Sequence, residues 1–583
     1  MSHMNELIVG IDLGTTNSAL AADVDGEIRV IDIHGQRTMP SCVGVDARGA
    51  LVVGQAARNQ AIASPDATIL SIKRRMGEDV RLPLGGKQFS PEEVSSFILR
   101  ELKLEGEKQL GRPIRKAVIT VPAFFTERQR KATHVAGELA GLDVVRIINE
   151  PTAAALAYGA GDTPDETMVV YDLGGGTFDV SVVTVQEGVV EVRASHGDTH
   201  LGGDDFDQLL VAHVLREFEN RHTIDLSGDD RVLRRLSIVL ERAKCRLSDE
   251  PFVAVREEYL DGKHHLDMEI ERGAYETMVA PLLEKTLHSV HQALRGASLL
   301  PGAIDRVMLV GGSTRTPLVH AMLQQRLEME PRWEIDPDLI VAMGAAIQGA
   351  VLAGQKRHSI LVDITPHTFS TSSLGVVGGV QRLVSVPIIL RNTPLPASKS
   401  EVFFTLHDSQ DAVEVDARQG EEPLPELNAL VGEFMVEGLS AVPAGSPIVV
   451  HFELDLSGML RVTATEKQTG LAKTVTMDTR GVHVLDVDEA RRNIASLLGS
   501  LGEPGEETES DDDAGATSDQ LLATAKDLRK RGEALLAKNV NDDDAREIRE
   551  LIHGSAAAIA GRDWDLLAQA NDTLSDLVFY LED

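Results

Sequence analysis

The hydrophobic pattern divides the chain into three parts. From about Leu7 to Leu352, short apolar runs rich in β-branched residues alternate with amphipathic segments, a pattern typical of an α/β domain. From Pro366 to about Thr479, polar and apolar residues alternate between Pro and Gly breaks, which predicts an antiparallel β-sandwich. After Val487 the apolar spacing becomes three and four residues, which predicts helices.

Individual elements can be predicted within each part. In the first part, the predicted buried strands are Leu7–Leu13, Ala117–Val121, Met168–Leu173 and Arg306–Val310, and the predicted helices are Glu127–Leu139 and Asp230–Leu247. In the second part, the predicted strands are Glu401–Leu406, Ala412–Asp416 and a hairpin of Ile448–Leu454 with Leu460–Thr465. In the third part, Asp488 is expected to cap a helix ending at Leu498, and further helices are expected at Asp519–Asn539, Asp542–Ile559 and Trp564–Leu581.

Four regions follow from these patterns: residues 5–356, 357–365, 366–484 and 485–583, the last with an acidic linker at 502–516. The second region contains Arg357–Asp363, a charged start followed by mostly apolar residues. Its pattern fits either a buried strand or an interdomain linker, and the pattern alone leaves both open.

Composition excludes several classes of protein. A chain of 583 residues exceeds one hydrophobic core, so three or four domains are expected. The net charge of −34 disfavours nucleic acid and anionic membranes as partners. Cys42 and Cys245 lie far apart and lack metal-ligand spacing, which argues against a disulfide or a zinc site. Without an apolar run of membrane-spanning length or a signal peptide, we expect a cytoplasmic protein.

Two turns share one unusual pattern. Gly10–Ser18 and Tyr171–Asp179 each contain an Asp at the end of an apolar strand, followed by glycine and threonine in a tight turn. Glycine lets backbone N–H groups approach a phosphate closely, and the carboxylates can hold Mg²⁺ through water. Two such turns predict a triphosphate clamped from both sides. A plain hairpin would explain one copy but explains two copies poorly, and the chain contains no P-loop motif.

A third glycine turn, Leu309–Arg315, also follows an apolar strand. Its small residues suit an adenosine pocket, in which Arg315 would stack on the base.

The order of these three turns resembles that of the actin-like ATPases. Four segments are more specific and are similar to those of 70-kDa heat-shock (DnaK-type) chaperones: Val121–Phe125, Ile148–Ala155, His200–Asp207 and Val310–Arg315. The resemblance runs from the N-terminus through the sandwich, and Glu241–Cys245 with the short C-terminal end resembles the HscC-type subgroup. It implies an α/β actin-like (ribonuclease H-like) ATPase domain, an antiparallel β-sandwich and a small helical lid.

The resemblance also implies roles for residues in and beside the turns. Catalysis is assigned to Lys73, Asp12, Glu150, Asp172 and Thr177, and Asp12, Glu150 and Asp172 would hold Mg²⁺ largely through water. Nucleotide binding is assigned to Gly14, Thr15, Thr16, Asn17, Gly174, Gly175, Gly176, Gly202, Gly203, Asp204, Glu241, Lys244, Ser248, Gly311, Gly312, Ser313, Arg315 and Asp338. Without the resemblance, Lys73 would be interpreted as a solvated surface lysine.

Further roles are implied outside the nucleotide site. The peptide groove would include Leu374, Phe403, Leu406, Val413 and Val415, whose alternative interpretation is ordinary sandwich core. Ser373–Gly379 is treated as the loop from which Leu374 arches over the peptide. Allosteric or linker roles fall to Pro122, Arg130, Ile360, Leu361, Val362 and Asp363, although Pro122 could simply end a strand. A J-domain cochaperone would dock on Arg146, Asn149, Thr152 and Asp363, whose alternative interpretation is surface polarity.

The implied function is an ATP-dependent chaperone in which ATP binding and hydrolysis control the gripping of extended apolar peptides. The implied cofactors are ATP or ADP, Mg²⁺ and additionally K⁺. The implied partners are unfolded clients, a J-domain protein and a nucleotide exchange factor. An actin-like small-molecule kinase and a filament-forming actin relative are the alternatives, and neither needs the linker and sandwich.

Overall fold

A computed structural model describes residues 6–159, 165–333, 335–355, 360–377, 379–439, 442–467, 472–476 and 486–499, with scattered helical residues between 525 and 556. The chain forms two compact units, residues 1–501 and 502–583. In the second unit the described residues are helical, as expected for Asp519–Asn539 and Asp542–Ile559. The predicted helix Trp564–Leu581 and acidic linker 502–516 lie outside the described residues.

The first unit contains 26 strands and 10 α-helices among its described residues. The strands are β1 Ile8–Asp12, β2 Asn17–Val24, β3 Glu27–Ile31, β4 Met39–Pro40, β5 Val43–Val45, β6 Leu51–Val53, β7 Thr68–Ile69, β8 Leu82–Leu84, β9 Lys87–Phe89, β10 Lys116–Val121, β11 Asp143–Asn149, β12 Glu166–Leu173, β13 Phe178–Gln186, β14 Val189–Asp198, β15 Phe252–Glu257, β16 Leu266–Glu271, β17 Arg306–Val310, β18 Ile360–Val362, β19 Phe369–Val377, β20 Val380–Ile389, β21 Ala397–Phe404, β22 Ala412–Gln419, β23 Ala429–Glu437, β24 Pro447–Leu454, β25 Leu460–Glu466 and β26 Ala472–Thr476. The helices are α1 Gln55–Gln60, α2 Pro91–Leu110, α3 Glu127–Leu139, α4 Glu150–Gly159, α5 Gly203–His222, α6 Asp230–Leu247, α7 Arg272–Gly296, α8 Pro317–Leu327, α9 Ile340–Leu352 and α10 Val487–Gly499. Short 3₁₀ helices lie at Pro65–Ala67, Ile72–Arg75, Pro301–Ala303, Gly312–Arg315 and Pro425–Leu427.

Two sheets of the α/β part repeat one arrangement. Their orders are β11-β10-β1-β2-β3 and β17-β12-β13-β14-β18. In each, the strand before a glycine turn (β1 or β12) pairs antiparallel with the strand after it (β2 or β13). That same strand pairs parallel with a later strand, β10 or β17. The two predicted phosphate turns therefore connect equivalent strands of two similar sheets.

Helices α4 and α9 pack closely between these sheets because their contact faces consist of small residues. A Cβ on Gly344 of α9 would lie 1.8 Å from the carbonyl oxygen of Ala153 in α4. A Cβ on Gly10 of β1 would lie 2.1 Å from the backbone nitrogen of Ala346. Glycine is needed at both positions, since real side-chain carbons do not approach backbone this closely.

The β-rich part is a sandwich of two four-stranded antiparallel sheets, β20-β19-β22-β23 and β21-β24-β25-β26. Its core includes Phe369, Ile389, Val415, Phe452 and Val462. The predicted hairpin is confirmed, because β24 pairs with β25 and the last pair joins Leu454 to Leu460. Alternating burial along both strands places one face in this core.

Two local predictions are wrong. The segment Ser373–Gly379 continues β19 as far as Val377 and pairs with β20, so Leu374 lies within a strand opposite Leu383 instead of in an arching loop. Helix α10 is capped by Asp486 and not by Asp488, since the Asp486 carboxylate accepts from the backbone nitrogens of Asp488 and Glu489, each at 3.0 Å.

The segment Arg357–Asp363, whose sequence fits either a buried strand or a linker, contains β18. Ile360–Val362 adds to the edge of the second sheet, parallel to Val189–Glu191 of β14. Residues 357–359 lie outside the described residues. Both alternatives therefore apply to the same residues: Ile360–Val362 forms a strand of the second sheet and also connects the α/β part to the sandwich.

Candidate functional site

The two phosphate turns meet each other across a cleft. A Cβ on Gly175 would lie 1.9 Å from the Thr16 hydroxyl oxygen, and one on Gly176 would lie 2.7 Å from the methyl carbon of Thr15. Any side chain at either glycine would push the turns apart. The two turns therefore face each other and touch at their tips, while their binding of a triphosphate stays a prediction.

A buried charge cluster lies below the turns. Asp12 ends β1, Asp172 lies near the end of β12, and Glu150 begins α4. The Lys73 ammonium donates a hydrogen bond to the Glu150 carboxylate, and Lys73 is only 4% exposed. The alternative interpretation of Lys73 as a solvated surface lysine is therefore wrong.

The carboxylates of this cluster are short of positive charge. Burial, and then the neighbouring charge of Glu150, raise the pKa of Asp12 to about 7. Burial and then Glu150 likewise raise the pKa of Asp179 to about 7, and they raise the pKa of Asp172 well above its usual range. Asp12, Glu150 and Asp172 thus share the single ammonium of Lys73 at the cavity, and this donor set fits a divalent cation such as Mg²⁺. Asp179 accepts instead from the backbone nitrogens of Ala123 and Phe124.

The spacing of these carboxylates also bears on how a cation would bind. Among the described residues, one group of three His, Cys, Asp or Glu ligand atoms converges within 4.8 Å, and it consists of His34, Glu101 and Glu105. Asp12, Glu150 and Asp172 do not form such a group. This separation is compatible with the prediction that these three residues hold Mg²⁺ largely through water.

A cavity of about 270 Å³ extends from this cluster between the turns. Of the predicted residues, its lining includes Asp12, Gly14, Thr15, Thr16, Asn17, Lys73, Glu150, Asp172, Gly174, Gly175, Thr177, Asp204, Glu241, Lys244, Ser248, Gly311, Gly312, Ser313, Arg315 and Asp338. Gly176, Gly202 and Gly203 lie behind this lining; a Cβ on Gly202 would lie 2.5 Å from the Gly175 carbonyl oxygen. The structure thus brings nearly all predicted nucleotide residues to one cavity.

The third glycine turn closes the far end of the cavity. Gly311 has φ of +82°, a conformation that favours glycine, and the Ser313 hydroxyl donates to the Gly174 carbonyl at 2.9 Å. Lys244 donates to the Gly203 carbonyl at 3.0 Å and to Asp207 at 2.7 Å. The second and third turns are therefore tied together at the predicted nucleoside end.

Arg315 is held at the rim of the cavity. Its guanidinium donates to Asp336 at 3.2 Å and to Asp338 at 3.1 Å. Predicted Asp338 thus has a contact in the site, while the predicted stacking of Arg315 on a base stays a prediction. Cys245 also lines this end of the cavity.

Sequence reasoning missed three residues that support the cleft. Arg58 reaches Glu241 across the cleft at 2.5 Å, and Arg74 reaches Asp205 at 3.1 Å. The Thr120 hydroxyl donates to Asp12 at 3.1 Å. Arg74 adjoins Lys73 and could have been suspected, but nothing in the sequence connects residues 58 and 241.

A second polar network lies where the linker meets the α/β part. The Asn149 amide donates to both oxygens of Asp363, at 3.0 and 3.1 Å, and Thr152 donates to the same carboxylate at 3.4 Å. Arg130 donates to the Asn149 side-chain oxygen and, at 3.2 Å, to the carbonyl of Ala123, which directly follows Pro122. The structure therefore joins linker residues to the predicted allosteric pair.

Three of the predicted J-domain positions, Asn149, Thr152 and Asp363, belong to this network, and the charge of the fourth, Arg146, acts on Asp363. Arg146, Asn149, Thr152 and Asp363 are all at least nine-tenths buried. Their alternative interpretation as ordinary surface polarity is therefore wrong in this arrangement. Burial also raises the pKa of Asp363 and lowers that of Arg130, which shows that both charges lie out of water.

The predicted groove residues divide into two groups. Val415 lies in the sandwich core, and Phe403 and Val413 pack partly against that core. Leu374 and Leu406 are 43% and 54% exposed. Further exposed apolar side chains lie on β19, β20 and the end of β21: Val376, Val377, Val380, Leu383 and Phe404.

The sequence comparisons identify the family. A family model described as Hsp70 protein matches residues 8–84 and 78–581. The chain belongs to the Hsp70 family. Hsp70 proteins named Chaperone protein DnaK, from Thermotoga petrophila, Thermotoga sp. strain RQ2 and Thermotoga maritima, are each 42% identical to it over 571 residues, covering 95% of this chain and 94% of the relative.

Membership in the Hsp70 family confirms several of the predictions made from the sequence. The chain is an ATP-dependent chaperone and an ATPase that binds ATP or ADP, and its clients are unfolded polypeptides. The fold class is confirmed as an actin-like ATPase domain with a β-sandwich and a helical lid. The small-molecule kinase finds no support in these matches, and the HscC-type subgroup stays a prediction. Within the described part of this Hsp70 chain, no helix is both long and apolar enough to cross a membrane.

Proposed function

We propose that this Hsp70 hydrolyses ATP between the turns at 10–18 and 171–179, with Lys73 as the central catalytic cation. One observation carries the proposal: Lys73 is buried and bonded to Glu150 among the carboxylates of Asp12 and Asp172. Burial of a lysine at this position is explained if its positive charge binds a polyanionic ligand in the adjoining cavity. Cations placed where phosphoryl charge develops lower the barrier to hydrolysis.

The remaining assignments follow from the same arrangement. Asp12, Glu150 and Asp172 would hold Mg²⁺, which supplies the positive charge that the buried carboxylates lack when it is bound. The backbone N–H groups of the two glycine turns would bind phosphate oxygens, and Thr177 would orient the reacting groups beside them. An additional K⁺ belongs to the same proposal, because the site has an excess of negative charge. Gly311–Arg315 would hold the nucleoside.

The proposed domains are the ATPase domain at 5–356, the linker at 357–365, the peptide-binding sandwich at 366–484 and the lid at 485–583 with its linker at 502–516. β18 pairs with β14, and Asp363 is held by Asn149. We infer that this is the docked, ATP-type arrangement, and that hydrolysis releases the linker. ATP and peptide then influence each other's binding through one shared equilibrium.

The proposed peptide site lies on the β19–β20 hairpin and the end of β21. Exposed apolar residues concentrate there, including Leu374 and Leu406. Contiguous exposed apolar surface on a folded protein is typical of an interaction site. Extended peptides would bind there through backbone hydrogen bonds and apolar pockets. Phe403, Val413 and Val415 would line the groove from beneath.

Two cochaperone partners complete the proposal. A J-domain protein would act beside Arg146, Asn149, Thr152 and Asp363, because a partner that disturbs these buried residues changes the linker contact. A nucleotide exchange factor would open the cleft that the Arg58–Glu241 ion pair closes.

Single-turnover ATP hydrolysis tests this function. The wild type is expected to hydrolyse ATP slowly and to accelerate when an extended apolar peptide is added. Lys73→Ala should slow hydrolysis on the order of a hundredfold or more, by analogy with the loss of other charge-stabilising groups. The control Lys285→Ala removes an exposed lysine on α7 and should change nothing.

Hydrolysis that survives Lys73→Ala would refute the catalytic assignment. Hydrolysis that is indifferent to peptide would refute the proposed coupling between the sandwich and the ATPase domain.

A further inference from the structure

The ring of Phe124 lies between the rings of two histidines where the ATPase part meets the sandwich, tilted by 57° to one and 37° to the other. The ring of Phe124 lies 4.3 Å from the ring of His367 and 5.1 Å from that of His196, measured between centroids. His196 belongs to β14, the strand that pairs with linker strand β18. His367 follows the linker and precedes β19. In the His–Phe–His stack of these three residues, the Phe124–His196 contact lies within the ATPase part, and the Phe124–His367 contact connects that part to the segment leading into the sandwich.

The two imidazoles differ in their hydrogen bonds. His367 Nε2 lies 3.0 Å from the Phe124 carbonyl oxygen. A carbonyl only accepts, so Nε2 carries the proton and Nδ1 of the neutral ring carries none. His196 Nδ1 is buried without a hydrogen-bond partner among the described residues. A second proton on His196 would therefore lack an acceptor in a buried place.

The charged surroundings also oppose protonation. Burial, and then the charges of Arg391, His288 and His367, lower the pKa of His196 to about 4, against a smaller opposing effect of Asp198. Burial is the main cause that lowers the pKa of His367; Arg130 and Arg391 act in the same direction, while the Phe124 carbonyl and Glu421 oppose them. These groups come from both the ATPase part and the sandwich. Undocking therefore separates each histidine from some of the burial and positive charge that lower its pKa.

We propose that the His–Phe–His stack is a proton-sensitive contact that holds the sandwich on the ATPase domain when both histidines are neutral and releases it when they are protonated. The proposal rests on the proposed function, because docking is taken there as the ATP-type arrangement. It assigns to His196 and His367 a regulatory role that is separate from nucleotide chemistry and from peptide contact.

The direction of the pH effect follows from linkage. Undocked histidines return toward the ordinary pKa of about 6.5, whereas the docked ones titrate lower. Docking is therefore fully favoured above about pH 6.5 and weakens as pH falls toward the docked pKa values. With the value for His196 alone, docking should weaken about tenfold between pH 7.5 and pH 5.5.

Hydrogen exchange of the full chain with ATP measures docking directly. The amide of Ile360 donates to the Gly188 carbonyl at 3.0 Å when β18 is paired, so its protection reports the docked fraction. After correction for intrinsic exchange rates, wild-type protection should fall about tenfold or more from pH 7.5 to pH 5.5. His196→Gln with His367→Gln should reduce this change to less than twofold. His291→Gln removes an exposed histidine of α7 and should behave as wild type.

A wild-type change no larger than that of the double variant would overturn the proposal. If the double variant fails to dock at pH 7.5, the proposal is tested by the pH profile of wild-type docking alone. The logarithm of its docking constant should rise with a slope between about 1 and 2 per pH unit from pH 5 to pH 6. A flat profile overturns the proposal. Peptide stimulation of hydrolysis at pH 7.5 is checked separately, because its absence would instead refute the proposed function.

Discussion

The side-chain amide nitrogen of Asn149 donates to both carboxylate oxygens of Asp363, at 3.0 and 3.1 Å. This contact joins the end of β11 to the linker, and it lies beside Glu150, which binds Lys73. One residue, Glu150, therefore separates the linker contact from Lys73, the proposed catalytic cation. This proximity suggests how nucleotide state and linker position can be connected, and it leads to the first prediction.

Asn149→Ala should uncouple the sandwich from the ATPase domain. The variant removes the amide donor that both oxygens of the buried Asp363 carboxylate share, and a hydrogen bond to a charged group contributes roughly 1.5–3 kcal/mol. Linker protection in hydrogen exchange and peptide stimulation of hydrolysis should both fall about tenfold or more. Asn59→Ala, at an exposed helical position, is the control. Wild-type coupling in Asn149→Ala would show that the contact is incidental.

Gly175→Ala should impair nucleotide binding. The new carbon would lie 1.9 Å from the Thr16 hydroxyl oxygen, so the two turns must separate. We expect ATP affinity to fall about tenfold or more in calorimetric titration, since displaced backbone donors no longer converge on phosphate. Gly228→Ala adds the same carbon where no atom lies within 4 Å. Equal ATP affinities for the two variants would contradict the clamp.

Arg58→Ala should accelerate nucleotide release. The Arg58–Glu241 ion pair joins α1 to α6 across the cleft and is largely shielded from solvent. Its loss should increase the dissociation rate of a fluorescent ADP several-fold, because partly buried pairs are worth more than exposed ones. Arg29→Ala breaks an exposed pair with Glu27 and serves as the matched control. Unchanged release from Arg58→Ala would mean that the pair does not limit opening.

Asp12→Asn should stabilise the metal-free protein in a pH-dependent way. The folded pKa of Asp12, about 7, lies above the unfolded value of about 3.8. Its contribution to stability is therefore complete below about pH 3.8 and is lost as pH rises through 7. Asparagine keeps the acceptor for Thr120 and has no charge to lose.

The melting temperature of Asp12→Asn in EDTA should exceed that of wild type at pH 7.5 and match it near pH 4. Asp249→Asn, an exposed substitution, should give no such crossover. Mg²⁺ with ADP should reverse the advantage, because the wild-type carboxylate then has a cation beside it. If the melting temperatures of Asp12→Asn and wild type differed by the same amount at both pH values, ionisation of Asp12 would not destabilise the metal-free protein.

Local patterns predicted the elements with the clearest signals. The helix Glu127–Leu139 has its predicted bounds, and Thr126 with Gln129 forms a capping box before it. The strand Arg306–Val310 also has its predicted bounds, and it ends at the positive-φ glycine Gly311. The pair of phosphate turns was predictable because each Asp and its glycines are adjacent in sequence.

Contacts between distant parts of the chain were not predictable in this way. His196, Phe124 and His367 come from three separate elements, and each alone has the pattern of an ordinary core or loop residue. Leu374 was misplaced because the family resemblance implied a loop at Ser373–Gly379, whereas cross-strand pairing with β20 extends the strand to Val377. Tertiary pairing decided this position against local propensity.

The linker strand also protects the sheet that it joins. β18 occupies the outer side of β14, so at Val189–Glu191 it satisfies backbone groups that would otherwise form an open edge. Departure of the linker exposes these N–H and C=O groups to any extended chain that can pair with them. Undocking therefore leaves the ATPase domain with a short unpaired strand edge. The segment best suited to pair with that edge again is Ile360–Val362 itself.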